Sequence, residues 1–394
     1  MAKLLIVKWI FVIFLISASV VCAQENNTYF SYKGSLQNFT IGSQTITTEQ
    51  DYVYNFTRFR TDLDGGIENT ITYKIIFDIE NYLDYTYLTS PDYQLQKDVM
   101  LDIPIDPYGE IIDEDNQILR SYLYRAYATM YLFKSDYLND TLRLGFQRIA
   151  LGVGRIWNPT DILNPPNPLS LEPTERLGVV GVEYTRPFSD LTQLQVFLTS
   201  NNDSETKDYG FRAKSNVAQT DIALTVIKND INQMTMTGCE IEREVFNTGI
   251  GARSEIAFFN NEKTDEQNTK YITGFDFGVP NTSIYVLFEY LYNENGETDP
   301  NKYNMANLNL MTWDQLAQNY CAITYSFEVT SLIYNSNSLI YNINDNSYSV
   351  AKSIKINLDD NVDMNLQATL FNGAKNTEFF FYNNIYSINF SIYF

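Results

Sequence analysis

The stretch Tyr386-Ser387-Ile388-Asn389-Phe390-Ser391-Ile392-Tyr393-Phe394 sets Tyr386, Ile388, Phe390, Ile392 and Phe394 on one side of an extended chain and Ser387, Asn389 and Ser391 on the other. Side chains of a strand alternate with period two, so this is a strand with one apolar and one polar face. Working back along the chain, Ile71, Tyr73, Ile75, Phe77 and Ile79 interleave with Thr72, Lys74, Ile76, Asp78 and Glu80, one face apolar and the other mostly polar. The same phase recurs at Tyr122, Tyr124, Ala126, Ala128, Met130 and Leu132, at Ile284 to Tyr292, and at Cys321 to Val329.

Read this way, the chain divides into about 18 strands, from 28–40 through 67–80, 118–133 and 138–151 to 383–394, or 16 if one hairpin is split too finely. Connections after even strands are tight turns, as at Leu63–Gly66, Phe188–Ser189 and Asp359–Asp360, whereas 81–117, 152–176 and 295–319 follow odd strands and are long. A soluble sandwich has no reason to gather its long loops at one end. The fold class expected is therefore all-β: an antiparallel transmembrane β-barrel with long external loops and short periplasmic turns. In hydrocarbon only a closed barrel lets strands pair every backbone group. An exported sandwich, propeller or adhesin is the competing all-β reading.

The alternating last strand ending on Phe394 resembles the closing strand of bacterial outer-membrane β-barrels. That resemblance implies that Tyr386, Ile388, Phe390, Ile392 and Phe394 form the signal read by the barrel-assembly machinery, in an outer-membrane lipid environment. A narrower resemblance lies in Arg125-Ala126-Tyr127, in Leu142 to Ile149, and in Gly152-Val153-Gly154-Arg155-Ile156-Trp157-Asn158-Pro159-Thr160-Asp161. These segments are similar to a family of porin-like proteins that usually carries a tryptophan-glycine pair where this chain has Leu151-Gly152. The likeness implies a porin without specifying a solute.

Composition narrows the chemistry. The 394 residues include no histidine, so Ser-His-Asp and Cys-His nucleophile pairs and His-ligated zinc or haem are all excluded. No enzyme activity and no cofactor are expected. Lys3 and Lys8 precede an apolar run from Trp9 to Cys22, and Ala23 precedes Gln24, the pattern of a signal peptide over 1–23 with a barrel over 24–394. Processing there leaves 25 basic and 48 acidic side chains, a net charge of −23, which argues against nucleic acid as a partner. Cys239 and Cys321 then remain, as a single bridge or as two thiols.

Selectivity is expected near 152–176, which holds Pro159, Pro165, Pro166, Pro168 and Pro173, five of the chain's 11 prolines. Such a stretch cannot be a strand. It is the third external loop, the position from which general porins fold a constriction into the lumen; a stiffened surface loop is the alternative. Residues 118–188 hold seven of the chain's 12 arginines. Strand phase sends Arg125, Arg143 and Gln147 inward, since a lipid-facing arginine at mid-membrane costs roughly 2–4 kcal/mol. Arg148 falls on the lipid phase and needs a bulge or an interfacial position. Arg155, Asp161, Glu172, Glu175, Arg176 and Glu183 complete the expected pore lining, with carboxylates opposing arginines across the passage.

The loop 81–117 carries nine acids against Lys97 and reads as a solvated acidic mouth, because Asp113-Glu114-Asp115 lacks the spacing of an EF-hand. Residues 301–318 lose strand alternation and read as a short helix. Two functions remain. One is passive diffusion of small hydrophilic solutes or ions through a lumen narrowed by loop 152–176; the other is a barrel sheath around a periplasmic multihaem cytochrome in a trans-outer-membrane electron conduit. An inserted loop favours the channel. A homotrimer is a further partner state open to a porin.

Overall fold

The computed structural model describes residues 27–46, 49–91, 93, 108–134, 138–176, 178–200, 207–230, 233–304 and 315–394. The leader expected over 1–23, Lys97 and most of the helix expected over 301–318 lie outside these residues; of its described ends, Pro300–Lys302 is a 3-10 turn and 315–318 are not helical, Ala317 bridging Glu297.

The strands are β1 (Thr28–Gln44), β2 (Asp51–Ile67), β3 (Ile71–Leu83), β4 (Tyr108–Glu114), β5 (Gln117–Lys134), β6 (Asn139–Gln147), β7 (Val179–Ser189), β8 (Thr192–Ser200), β9 (Lys207–Val217) and β10 (Thr220–Asn229). They continue as β11 (Met234–Glu244), β12 (Ile250–Asn261), β13 (Glu266–Gly278), β14 (Tyr285–Asn293), β15 (Asn319–Thr330), β16 (Ile333–Asn342), β17 (Tyr348–Asp359), β18 (Val362–Asn372) and β19 (Ile385–Tyr393). Each pairs antiparallel with its neighbours, and β1 pairs with both β2 and β19, so eighteen strands close into a ring. Closure leaves no open edge within the wall.

β4 is the nineteenth strand and stands outside the ring. It lies on β5 over Tyr108–Glu114, along the stretch where β5 has no pairing with β6. The acidic loop 81–117 is thus partly a hairpin, a strand the short apolar run Ile111-Ile112 did not announce.

Alternation sorts the side chains as the strand phases require. On β2 and β3, Arg58, Arg60, Asp62 and Asp64 pair in register with Glu80, Asp78, Ile76 and Lys74 on the inner face, while Phe59, Leu63, Phe77 and Ile79 face out. Tyr386, Ile388, Phe390, Ile392 and Phe394 point outward, each about half exposed. The Phe394 ring packs against Phe59 and Tyr32, over Gly34.

Two expectations are corrected here. A bulge opposes Ile76 to Arg125 and Phe77 to Leu123, leaving Tyr124 as the extra residue. The phase therefore flips within β5, and Tyr122 and Tyr124 turn into the lumen rather than toward lipid, together with Arg125. The strand expected over 138–151 ends at Gln147, and the chain then leaves the wall inward, so Arg148 needs no place on the lipid face. Cys239 and Cys321 are free thiols on the outer faces of β11 and β15.

Candidate functional site

The segment between Gln147 and Val179 folds into the lumen. Its prolines deny it ladder hydrogen bonds, so its backbone donors must find other acceptors, and two wall glutamates supply them. Glu255 on β12 accepts from the N–H of Val153 (2.8 Å), Gly154 (3.3 Å) and Thr160 (2.6 Å) and from the Thr160 hydroxyl (2.9 Å). Glu289 on β14 accepts from the N–H of Arg155 (2.6 Å), Ile156 (2.8 Å) and Trp157 (3.2 Å). Both carboxylates are fully buried. A carboxylate is acceptor-only with about four lone-pair sites, which suits it to gather several N–H groups from one turn.

Glycine makes the close approach feasible. Gly152 has φ of +78°, and a Cβ on Gly154 would stand 1.8 Å from the Trp157 carbonyl oxygen and 2.5 Å from Ile272. The segment Gly152-Val153-Gly154-Arg155-Ile156-Trp157 thus carries its glycines where the backbone meets the wall.

Apolar packing completes the docking. Ile156, Trp157 and Leu169 sit among Ile272, Leu291, Tyr320 and Ile340 of the wall. Ile149 and Leu151, with Ile162 and Leu163 against them, fill the space beside Phe197, Ile227, Met236 and Phe259. Burial of this kind contributes roughly 1.5–3 kcal/mol per large side chain.

The far half of the loop is held differently, by ion pairs. Glu172 meets Arg58 at 2.5 Å and Glu175 meets Arg60 at 2.8 Å, while Arg60 also engages Asp78 at 2.7 Å. Gln367 on β18 donates to the Leu171 carbonyl at 3.2 Å. Arg125 donates to the carbonyls of Tyr124 (2.6 Å) and Arg176 (2.5 Å) and stacks on the Tyr124 ring. Within the loop, Arg176 reaches Asp161 at 3.4 Å and Asn164 donates its N–H to Asp161 at 2.9 Å. Burial pushes the Asp161 carboxyl up to about 7, against the opposing pull of the Asn164 N–H, Arg176 and Arg148. Burial acts upward on Glu175 too, but the Arg60 guanidinium holds it below the usual carboxylate range.

The residues expected in the pore therefore divide. Arg143 pairs with Glu183 across β6 and β7 at 3.4 Å and remains over a third exposed. Gln147 is buried and donates to the Gly181 carbonyl. Arg155 is half exposed below the docked turn and reaches Glu242 at 3.0 Å. It opens on a cavity of about 270 Å³ lined also by Asp221, Arg253 and Asp276, in the periplasmic half of the lumen. Asp161, Glu172 and Glu175 do not face Arg125 or Arg143; they pair with Arg176, Arg58 and Arg60. The sequence reading missed Arg58 and Arg60 on β2 and the two anchoring glutamates. Arg58 and Arg60 were legible from alternation with Phe59, whereas nothing local marks Glu255 or Glu289.

The fold is that of the porin-like outer-membrane β-barrels. A BenF-like porin from Pseudomonas fluorescens Pf-5 superposes with a TM-score of 0.59 at 12% identity, covering 92% of this chain and 98% of that one. OccAB3 from Acinetobacter baumannii gives 0.57 at 9% identity over 93% and 99%. The outer membrane protein OprD from Pseudomonas aeruginosa gives 0.55 at 9% identity over 93% and 93%. No family model matches the chain, and no curated protein matches it either.

Proposed function

We propose that the chain is an outer-membrane porin, a passive diffusion channel for small hydrophilic solutes or ions whose lumen is narrowed by loop 152–176. The observation that carries this reading is the fastening of the loop across the lumen by Glu255 and Glu289 on one side and by Arg58 and Arg60 on the other. A loop held at both ends of its span is a fixed constriction rather than a flap. Arg143 and Arg155, the more exposed arginines beneath and beside it, face acids and set a transverse field that orients polar solutes. The reading includes a signal peptide over 1–23, assembly through the strand ending at Phe394, and no catalytic turnover.

The loop occupies the space that a multihaem cytochrome would need, which weighs against the sheath reading. Single-channel conductance of the refolded protein in planar bilayers, with a reversal potential under a salt gradient, tests the proposal. The expected result is a stable conductance whose ion preference shifts in the Arg143→Ala, Arg155→Ala double variant. A closed barrel, or a wide one insensitive to both changes, would overturn it.

A further inference from the structure

The inner wall of the barrel has two unlike halves. On β2, β5, β9 and β12, Arg58, Arg60, Arg120, Arg212 and Arg253 face the lumen, and each already holds a carboxylate of the wall or the loop. The half from β15 to β19 carries hydroxyls and amides instead. Its inward charges are Glu328, Lys355 and Asp363, all in the periplasmic half of their strands, and Lys355 pairs with Asp363 at 2.8 Å. The docked loop covers the external ends of β15 and β16 at Tyr320 and Ile340 and meets β18 where Gln367 donates to the Leu171 carbonyl. Below those contacts Thr324, Ser336, Ser338, Asn365 and Asn389 face the lumen, half-buried.

These five side chains keep unused hydrogen-bonding capacity. The hydroxyls of Thr324, Ser336 and Ser338 have no protein partner among the described residues. Asn365 accepts from Ser353 at 2.7 Å and Asn389 from Ser391 at 3.4 Å, each through its side-chain oxygen, and neither amide nitrogen has an acceptor among the described residues. In the register of the sheet Asn365 pairs with Asn389, Asn389 with Phe39 of β1, and Phe39 with Phe56 of β2. Adjacent strands stand about 4.8 Å apart, so donors and rings form one continuous row. Phe56 stacks on Tyr82 at 4.6 Å, and further up β2 the half-buried Tyr54 and Tyr52 pack on Tyr87 at the external mouth.

We propose that the solute this channel favours is an uncharged polyhydroxylated one, of the size of a mono- or disaccharide, guided by the hydroxyl and amide strip of β15–β19 from the aromatic cluster of β1 and β2. A charged solute that sheds water along this strip meets no opposite charge above the Lys355–Asp363 pair to replace it. A sugar has other needs: groups that donate to and accept from its hydroxyls, and a flat apolar surface for its C–H face. Serine, threonine and asparagine meet the first, and the rings that begin beside Asn389 meet the second. The arginines of the opposite half are held by carboxylates and so leave a passing anion little to bind. The inference rests on the reading of the chain as a passive porin and names the solute class for it.

The test uses the full chain reconstituted in liposomes, with heat-modifiability on gels and potassium chloride conductance as the check on folding. Iso-osmotic swelling in glucose should outpace swelling in the zwitterion glutamine and in sodium gluconate, and maltose should reduce the single-channel current in a saturable way. Asn365→Leu with Asn389→Leu should slow glucose swelling at least about three-fold and weaken the maltose effect, whereas Asn365→Gln with Asn389→Gln, which keeps the donors, should retain most of both. The ranking of solutes by the unmodified protein stands whether or not the leucine pair assembles. Rates ordered by solute size alone, faster entry of gluconate or glutamine, or an unchanged glucose rate in a folded, conducting leucine pair would overturn the inference while leaving the porin reading intact. A heat-modifiable barrel that neither conducts nor lets any of the three solutes in would overturn both.

Discussion

Glu289 of β14 accepts the backbone N–H of Ile156 at 2.8 Å, a contact between residues 133 positions apart in sequence. It joins the wall of the barrel to the deepest turn of the loop. A side chain held this way constrains the loop's path whatever the loop's own side chains are. The anchor predicts how the channel responds when it is weakened.

Glu289→Gln should loosen that turn without emptying the site. Glutamine keeps one acceptor oxygen and loses the charge that strengthens each bond, and hydrogen bonds to charged groups contribute about 1.5–3 kcal/mol. The expected outcome is faster proteolytic nicking near Arg155 and noisier single-channel current, with Glu255→Gln behaving alike. Unchanged nicking and quiet current would mean that apolar packing alone holds the loop.

Gly154→Ala tests close approach rather than charge. Its Cβ would collide with the Trp157 carbonyl, so the turn cannot keep its path against β14. Conductance at least about two-fold larger is expected while heat-modifiability on gels persists.

At the far half, Arg58 and Glu172 should show coupling in a double-mutant cycle followed by loop proteolysis. Glu172 is over a quarter exposed, so solvent screening keeps the expected coupling to roughly 1 kcal/mol. Arg60 and Glu175 should couple less cleanly, because Asp78 also holds Arg60.

Loop docking should weaken as pH rises from about 4 to about 7. Asp161 keeps its proton up to about 7 when docked but gives it up near 3.8 when free, so the docked state binds the extra proton across that window. Above about 7 this contribution is level. Hydrogen exchange of residues 152–164 at pH 5 and pH 8, corrected for intrinsic rates, should show greater protection at pH 5, and Asp161→Asn should remove the difference.

Removal of Phe394 should lower the yield of folded barrel in outer membranes. The ring covers Gly34 and touches Phe59 and Tyr32 at the seam where β19 meets β1. Phe394→Tyr should restore most of the yield, and a deletion that assembles normally would deny the residue this role.

The barrel was legible in the sequence because a strand in hydrocarbon has one choice: its apolar face must go out and its polar face in, and period two records that choice residue by residue. Strand number, loop asymmetry and the inward turn of Arg125 and Arg143 follow from it. The bulge at Tyr124 did not show, because one inserted residue resets the phase without changing composition. β4 stayed hidden for a related reason, since a seven-residue strand outside the hydrocarbon carries no obligation to alternate.

Proline content announced that 152–176 would be ordered and would not be a strand, and local sequence could go no further. Whether that loop lay on the surface or in the lumen was decided by Glu255 and Glu289, 102 and 133 residues from the backbone groups they hold, and by Arg58 and Arg60, 114 and 115 residues from their partners in the other direction. Backbone N–H groups are the same for every residue type except proline, so a site that binds them leaves no pattern in the chain that supplies them. The sequence by itself determined a wall and its inside; the tertiary structure decided what crosses it, because only closure of the ring brings those four side chains to one loop.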